Sequence, residues 1–375
     1  SASIALTTGA NPMCAGASAT FTVTPTNGGT SPTYQWKVDG VNAGTGATTF
    51  TTTSLTNGQS VTCVMTSNAT CATPTTATSN AVAVTVNANV TPSVAIAQTS
   101  GTNPMCAGSS ATFTATPTNG GSTPTYQWKV NGTNAGTGST FTTTSLTNGQ
   151  IVTCVMTSNA TCVTTSTATS SGITMTVTSN VTPSVAIAQT SGTNPMCAGA
   201  SATFTATPSN GGTTPTYQWK VNGTNAGTGS TFTTTTLTNG QVVTCIMTSN
   251  ATCVTSITAT SAGTTMTINP VLVPSVAIAQ TTGTNPMCAG ASATFTATPT
   301  NGGTPTYQWQ VNGSNVGTGA TYTTTSLTNG QNVTCIMTST ATCASPTTAT
   351  STAINMAVNS TLVPAVSIAV TSGSN

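Results

Sequence analysis

Apolar side chains along this chain fall on alternate positions in short runs, and Gly, Asn and Pro separate the runs. In Tyr34-Gln35-Trp36-Lys37-Val38 the aromatic and aliphatic residues take one parity and the polar residues the other. That is the period of a strand with one buried face. The same alternation predicts strands over Ser3–Thr7 with Ile4 and Leu6 inward, and over Ala19–Thr24 with Phe21 and Val23 inward. It predicts others around Phe50 to Thr53, over Ser60–Ser67 with Val61, Cys63 and Met65 on one face, and over Ala81–Val86. Between them lie breakers: a turn cluster from Asn11 to Gly16, Asn27-Gly28-Gly29, a Gly-rich linker from Ala43 to Gly46, and Leu55-Thr56-Asn57-Gly58. Asp39-Gly40, directly after the Trp strand, is a strong two-residue hairpin signal. No stretch keeps a helical period.

This pattern repeats. Trp36, Trp128, Trp219 and Trp309 are spaced by 92, 91 and 90 residues, and Cys14, Cys106, Cys197 and Cys288 by 92, 91 and 91. A unit of ~90 residues with about seven short strands and one buried Trp at its centre predicts an all-β, immunoglobulin-like sandwich. Four such units are expected, over residues 1–90, 91–181, 182–272 and 273–363, each with its Trp in the core. Residues 364–375 repeat the opening of a unit and predict the first strand of a fifth, so the chain reads as a window on a longer array. The linkers are short and contain Pro, as in Asn87-Ala88-Asn89-Val90-Thr91-Pro92, which predicts a semi-rigid rod rather than loosely tethered beads.

Composition narrows the function. Charged residues are 1% of the chain, namely Lys37, Lys129, Lys220 and Asp39, against about 25% in an ordinary globular protein. With no His, Arg or Glu and a single Asp, the chain lacks the inventory for general acid–base catalysis or for paired-carboxylate chemistry, so no enzyme, no catalytic residue and no cofactor are expected. Carboxylate-rich calcium sites are excluded in the same way. A net charge of +2 over 375 residues makes no basic patch, which argues against nucleic acid and anionic membranes as partners. No apolar run approaches 18 residues and no basic start precedes one, so neither a membrane span nor a signal peptide is expected.

The 12 cysteines fall three to a unit, a regularity that points to disulfides in an oxidising compartment. A metal site on Cys63 and Cys71 is disfavoured, because zinc uses closer spacings and usually four ligands. Cys63, Cys154, Cys245 and Cys335 sit mid-strand beside the Trp, where the strand that would partner them offers Phe21 or Val23 and their equivalents; buried free thiols are expected. Cys14 precedes its strand at the end where one domain hands over to the next, and Cys71 follows the later strand at the other end. About seven strand residues at roughly 3.3 Å each separate either cysteine from the level of the core. A disulfide spans only about 4.4–6.8 Å between Cα atoms. The expected pairs therefore cross junctions: Cys14 with Cys162, Cys106 with Cys253, and Cys197 with Cys343, leaving Cys71 and Cys288 for repeats before and after. An intradomain Cys14–Cys71 bridge in a modified topology is the competing arrangement.

The run Cys-Ala-Gly, Ala-Thr-Phe-Thr, Pro-Thr-Tyr-Gln-Trp, Val-Asn-Gly, Leu-Thr-Asn-Gly-Gln, Val-Thr-Cys, Met-Thr-Ser-Asn-Ala-Thr-Cys resembles the Ig-like repeats of very large surface proteins of Bacteroidetes-type bacteria. The resemblance covers all four repeats. It implies secretion and display on the cell surface or in a filament. The near-absence of charge departs from most such repeats.

Other features read as architecture. Lys37, Lys129 and Lys220 point away from the core Trp, and Gln310 takes their place in the fourth unit. Met65, Met156, Met247 and Met337 share the phase of the core residues and read as filler. Asn68-Ala-Thr, Asn131-Gly-Thr and Asn159-Ala-Thr match an N-glycosylation pattern that arises by chance in a sequence rich in Asn and Thr. Threonine ladders such as Thr20-Phe21-Thr22-Val23-Thr24 read as a polar β-surface. The expected function is the structural shaft of a bacterial surface adhesin or extracellular filament, with further copies of the repeat as partners. The alternative is a binding module for ice or a surface glycan that uses exposed Thr and Asn.

Overall fold

The computed structural model describes residues 1–369 and 371, and every regular element among them is a β-strand. The chain forms two compact units, Ser1–Asn180 and a second beginning at Val181, each with two repeats. The protein is a tandem array of four immunoglobulin-like β-sandwiches. In the first repeat the strands are β1 (Ala2–Thr8), β2 (Met13–Cys14), β3 (Ala19–Pro25), β4 (Thr33–Val38), β5 (Val41–Thr45), β6 (Thr49–Thr52), β7 (Ser60–Thr66), β8 (Thr76–Thr78), β9 (Val82–Ala83) and β10 (Val86–Asn87). One sheet has the order β1-β3-β6; the other runs β5-β4-β7-β8, with β9 also against β7. A parallel pair, β2 with β10, closes one end.

Period-2 alternation decides which side chains meet between the sheets. In β3, Ala19, Phe21 and Val23 are buried while Thr20 and Thr22 face outward. From the facing sheet come Trp36, Val61, Cys63 and Met65, all buried. Trp36 stacks on Phe50 with centroids 5.7 Å apart, and Phe50 on Phe21 at 6.4 Å. The indole N–H is not stranded in this core: Trp128 Nε1 donates to the Gly138 carbonyl at 2.8 Å. In the first repeat, where one extra residue lengthens the turn before β6, Trp36 Nε1 donates to Ala47 O instead. Burying an indole removes roughly 200 Å² from water, worth roughly 5 kcal/mol, so this ring is the largest single contributor to each small core.

Four sequence expectations change. The Gly-rich stretch from Ala43 to Gly46 is not a linker: Val41–Thr45 is a strand paired with β4, with a bulge opposite Trp36 and Lys37. Glycine is needed because the neighbouring aromatic ring lies on the backbone; a Cβ at Gly136 would sit 2.7 Å from Phe141 Cδ2. Within the turn cluster, Met13–Cys14 forms a strand because Met13 is buried and anchors the pair with Val86–Asn87. The expected strand Ala81–Val86 is split into β9 and β10, and the unpredicted β8 precedes it. Side chains replace the ladder at these breaks: Ser79 Oγ accepts the Cys63 N–H at 2.9 Å, and Asn57 Oδ1 accepts the Val86 N–H at 3.0 Å. Finally, the segment from Pro364 forms no strand over its described residues, and Val366 and Ile368 are 92% and 97% exposed. The same alternation in Ser93–Ser100 is a strand only through its ladder with Ala111–Thr118. The rest of that expectation, at 370 and 372–375, lies outside the described residues.

Candidate functional site

The chemistry-bearing residues of this chain gather where one repeat meets the next. Cys14 is held by the β2–β10 pair, and Ala15 N–H donates to Asn87 O at 3.0 Å, so the cysteine stands beside the outgoing linker. Cys162 lies in the loop after strand Ile151–Thr157 of the second repeat, with a left-handed φ of 59°. That backbone turns the loop carbonyls and amides towards the linker. Val90 N–H donates to Cys162 O at 2.8 Å, Thr164 N–H donates to Val90 O at 2.9 Å, and Val90 pairs with Val163 as a parallel bridge. Asn119 completes the seat, its Nδ2 donating to Thr91 O at 2.9 Å. Across this seat Cys14 and Cys162 form a disulfide with Cα atoms 5.2 Å apart, though 148 residues apart in sequence.

The second unit repeats the arrangement. Leu272 N–H donates to Cys343 O and Ser345 N–H to Leu272 O, both at 2.9 Å, while Asn301 Nδ2 donates to Val273 O at 3.0 Å. Cys197 and Cys343 form a disulfide with Cα atoms 5.4 Å apart. Cys106 and Cys253 are also disulfide-bonded. Cys71 and Cys288 are free and exposed, so the intradomain Cys14–Cys71 bridge does not form.

The remaining cysteines, Cys63, Cys154, Cys245 and Cys335, are buried free thiols. Each lies directly across the ladder from its Trp, as Cys154 does from Trp128. Burial disfavours the thiolate and pushes each thiol up to about 11, which makes them packing groups rather than nucleophiles. Burial, with the neighbouring thiol second, also raises Tyr126, Tyr217 and Tyr307. Met65, Met156, Met247 and Met337 are buried among them. Lys37 and Lys220 bend back onto their own hairpins, donating to Gly40 O and Gly223 O at 3.4 and 3.3 Å. The threonine ladders bond to themselves across strands, as in Thr112 with Thr142 at 2.9 Å and Thr99 with Thr114 at 2.9 Å. Asn159 of the glycosylation-like triplet is engaged in its own loop, accepting the Thr123 N–H at 3.0 Å.

Two asparagine sets escaped the sequence reading. Asn103 bridges the gap in the last strand of its repeat: Nδ2 donates to Thr174 O at 2.9 Å and Oδ1 accepts the Thr176 N–H at 2.8 Å. Asn11, Asn194 and Asn285 do the same in their repeats. Asn119 and Asn301 seat the linkers. The available signal was recurrence, since both asparagines return once per repeat at a fixed place, but turn clusters are rich in Asn for conformational reasons as well.

Clefts elsewhere are shallow and carry little chemistry. One of ≈ 770 Å³ on the second repeat is lined by Ser122, Thr125, Tyr126, Gln127, Val155 and Thr157 among others. Among the described residues no three His, Cys, Asp or Glu gather, and no helix is long and apolar enough to cross a membrane.

No protein-family model matches the sequence, and no curated protein matches it. Among solved structures, the N-terminal eight Ig domains of Down Syndrome Cell Adhesion Molecule isoform 1.30.30 match at 12% identity and a TM-score of 0.28, over 96% of this chain and 48% of that one. This chain thus spans about half the length of that eight-domain structure. Three N-terminal domains of the bacteriophage RB49 highly immunogenic outer capsid protein match at 14% identity and a TM-score of 0.27, over 73% of this chain and 99% of that one. The N-terminal four Ig domains of Dscam1 isoform 6.9 match at 13% identity and a TM-score of 0.23, over 95% and 99%.

Proposed function

We propose that the chain is part of the structural shaft of a bacterial cell-surface adhesin or extracellular filament, of the kind built from Bacteroidetes-type Ig-like repeats, and that it is not an enzyme. The observation that carries this reading is the stapled junction. A linker alone joins two domains through one strand of chain and resists bending only through its own stiffness and hydrogen bonds. The Cys14–Cys162 bond gives the junction of the first two repeats a second covalent path, and Cys197–Cys343 does the same for the last two, so tension is shared and bending is resisted. Such bonds persist outside the reducing cytoplasm, which supports an extracellular location. The partners are further copies of the repeat, and the surface is uncharged enough to need no counterion atmosphere along its length.

Electron microscopy of the full chain tests the mechanical half. Oxidised molecules are expected as uniform rods with a narrow distribution of bends, and reduction is expected to broaden that distribution. Identical distributions before and after reduction would overturn the shaft reading. Antibody labelling of intact cells tests the location: signal without lysis is expected, and signal only after lysis would refute surface display.

A further inference from the structure

We infer that the Cys197–Cys343 staple between the third and fourth repeats is a clip that small thiols open and small disulfides close in the folded protein, and that the hydrogen-bonded seat beneath it keeps the two sulfurs in register while the bond is broken. The inference deepens the shaft reading, on which its use depends, by making the stiffness of a junction answer to the surrounding thiol–disulfide balance.

The bond is reachable from solvent. A cleft of ≈ 550 Å³ opens on it, and both cysteines line that cleft with Thr193, Pro195, Ala200, Asn269 and Thr342 among others. Its size falls within the roughly 300–1,000 Å³ of small-molecule sites. Cys197 and Cys343 are half-buried, whereas Cys245 in the core of the third repeat is fully buried. One wall is pinned by its own side chains: Gln189 Nε2 donates to Thr193 O at 3.2 Å, and Thr193 Oγ1 donates to Pro195 O at 2.8 Å. The opening therefore stands in the folded domain. No lining residue is charged, so an incoming thiolate meets no carboxylate that would repel it.

The backbone on both sides of the bond is held by contacts in which sulfur takes no part. Cys197 pairs with Asn269 in the parallel ladder, and Ala198 N–H donates to Asn269 O at 2.9 Å. Cys343 O accepts the Leu272 N–H and Leu272 O accepts the Ser345 N–H, both at 2.9 Å, while Asn301 Nδ2 donates to Val273 O at 3.0 Å. Leu272 also bridges Ala344. Breaking the disulfide removes none of these contacts, so the closed seat keeps the 5.4 Å Cα separation of the bonded pair. Hydrogen bonds yield to a load that a covalent bond withstands. The reduced junction thus holds at rest and gives under bending.

The chemistry needs only a small thiol of the glutathione class. Its thiolate attacks one sulfur of the staple, the S–S bond breaks, and the other cysteine leaves as a thiolate that takes up a proton. A second small thiolate attacks the outer sulfur of the mixed disulfide and releases the remaining cysteine. One protein disulfide and two small thiols become two protein thiols and one small disulfide, and closure is the reverse.

The full chain is incubated in glutathione buffers of graded thiol-to-disulfide ratio, quenched by alkylation and mapped by mass spectrometry. The peptide around Cys197 is distinguishable, since Ser109 stands where Ala200 does near Cys106, and Thr282 where Ser191 does near Cys288. Opening is expected at a rate that stays flat through low urea. The effective concentration of the two thiols is expected to be at least tenfold higher in the fold than in the urea-unfolded chain. Thr342→Trp, which adds bulk at an exposed position of the cleft, is expected to slow opening about tenfold. Asn301→Gly, which keeps the left-handed backbone and removes one seat bond, is expected to lower the effective concentration about threefold while opening keeps its rate. The inference is overturned if opening rises with urea as unfolding does, if Thr342→Trp opens at the parent rate, or if the effective concentration is no higher in the fold or is unchanged in Asn301→Gly. The bending test of the shaft reading uses complete reduction, so a staple that resists glutathione leaves that test to be decided separately.

Discussion

At the residue scale the core is a stack of three rings with a thiol beside it. Trp128→Ala removes the largest ring of the stack and is expected to cost about 3–5 kcal/mol in the second repeat. Hydrogen exchange is expected to show lost protection over Ile151–Thr157, with the first repeat's Ser60–Thr66 nearly unchanged. Gly136→Ala places a methyl against Phe141 and is expected to cost about 1–3 kcal/mol by displacing the ring. The buried thiols set an alkaline limit. Cys154 keeps its proton up to about 11 in the fold, from a reference of 9.0, so the folded state binds more protons across that window. Its contribution to stability is fully present below pH 9 and is lost as pH rises towards 11. Urea midpoints measured from pH 7 to 11, with Cys71 and Cys288 changed to Ser to prevent exchange, are expected to fall less steeply when Cys154→Ala is added. An equal slope would contradict the assignment.

At the element scale the strands with a continuous ladder were legible and those completed by side chains were not. Ala19–Pro25 and Ser60–Thr66 pair along their length, so their apolar parity alone identifies them. The last strand of each repeat is different: it starts against β7, leaves it, and ends against β2. No local pattern announces a change of partner, because the bonds that allow it come from Asn103, Asn148 and their equivalents elsewhere in the repeat. Asn103→Ala removes two of these bonds and is expected to cost about 1 kcal/mol, since the freed groups face water and are partly resatisfied. The measurement is the urea midpoint of the second repeat, and a change below a few tenths would mean that the bridge contributes nothing.

At the scale of the whole molecule, three Lys and one Asp leave surface electrostatics with no part in cohesion. Melting temperature, and bending of the proposed shaft, are expected to be nearly insensitive to salt between low and physiological ionic strength, because screening acts on charges that are almost absent. Strong salt-induced softening would point to charged groups added to the chain after synthesis. Stability is expected to be a sum of local and nearest-neighbour terms, as in other linear arrays, with the junction staples supplying much of the coupling.

What the sequence by itself determined is whatever a short window contains: the strand period, the four-fold repeat, the buried Trp at each centre, and the lack of His, Arg and Glu. Each follows from alternation, recurrence or inventory, none of which needs the chain to be folded. The tertiary structure alone decided the rest. Gly44 and Gly136 belong to strands because an aromatic ring from another strand occupies the space of their Cβ atoms. Asn119 is a linker clamp because the linker arrives beside it. The pairing of Cys14 with Cys162 was expected from the sequence beside an intradomain Cys14–Cys71 rival, and folding decided between them by bringing Cα atoms 148 residues apart in sequence to 5.2 Å in space. That distance is a property of two neighbouring domains together, and no window of one repeat contains it.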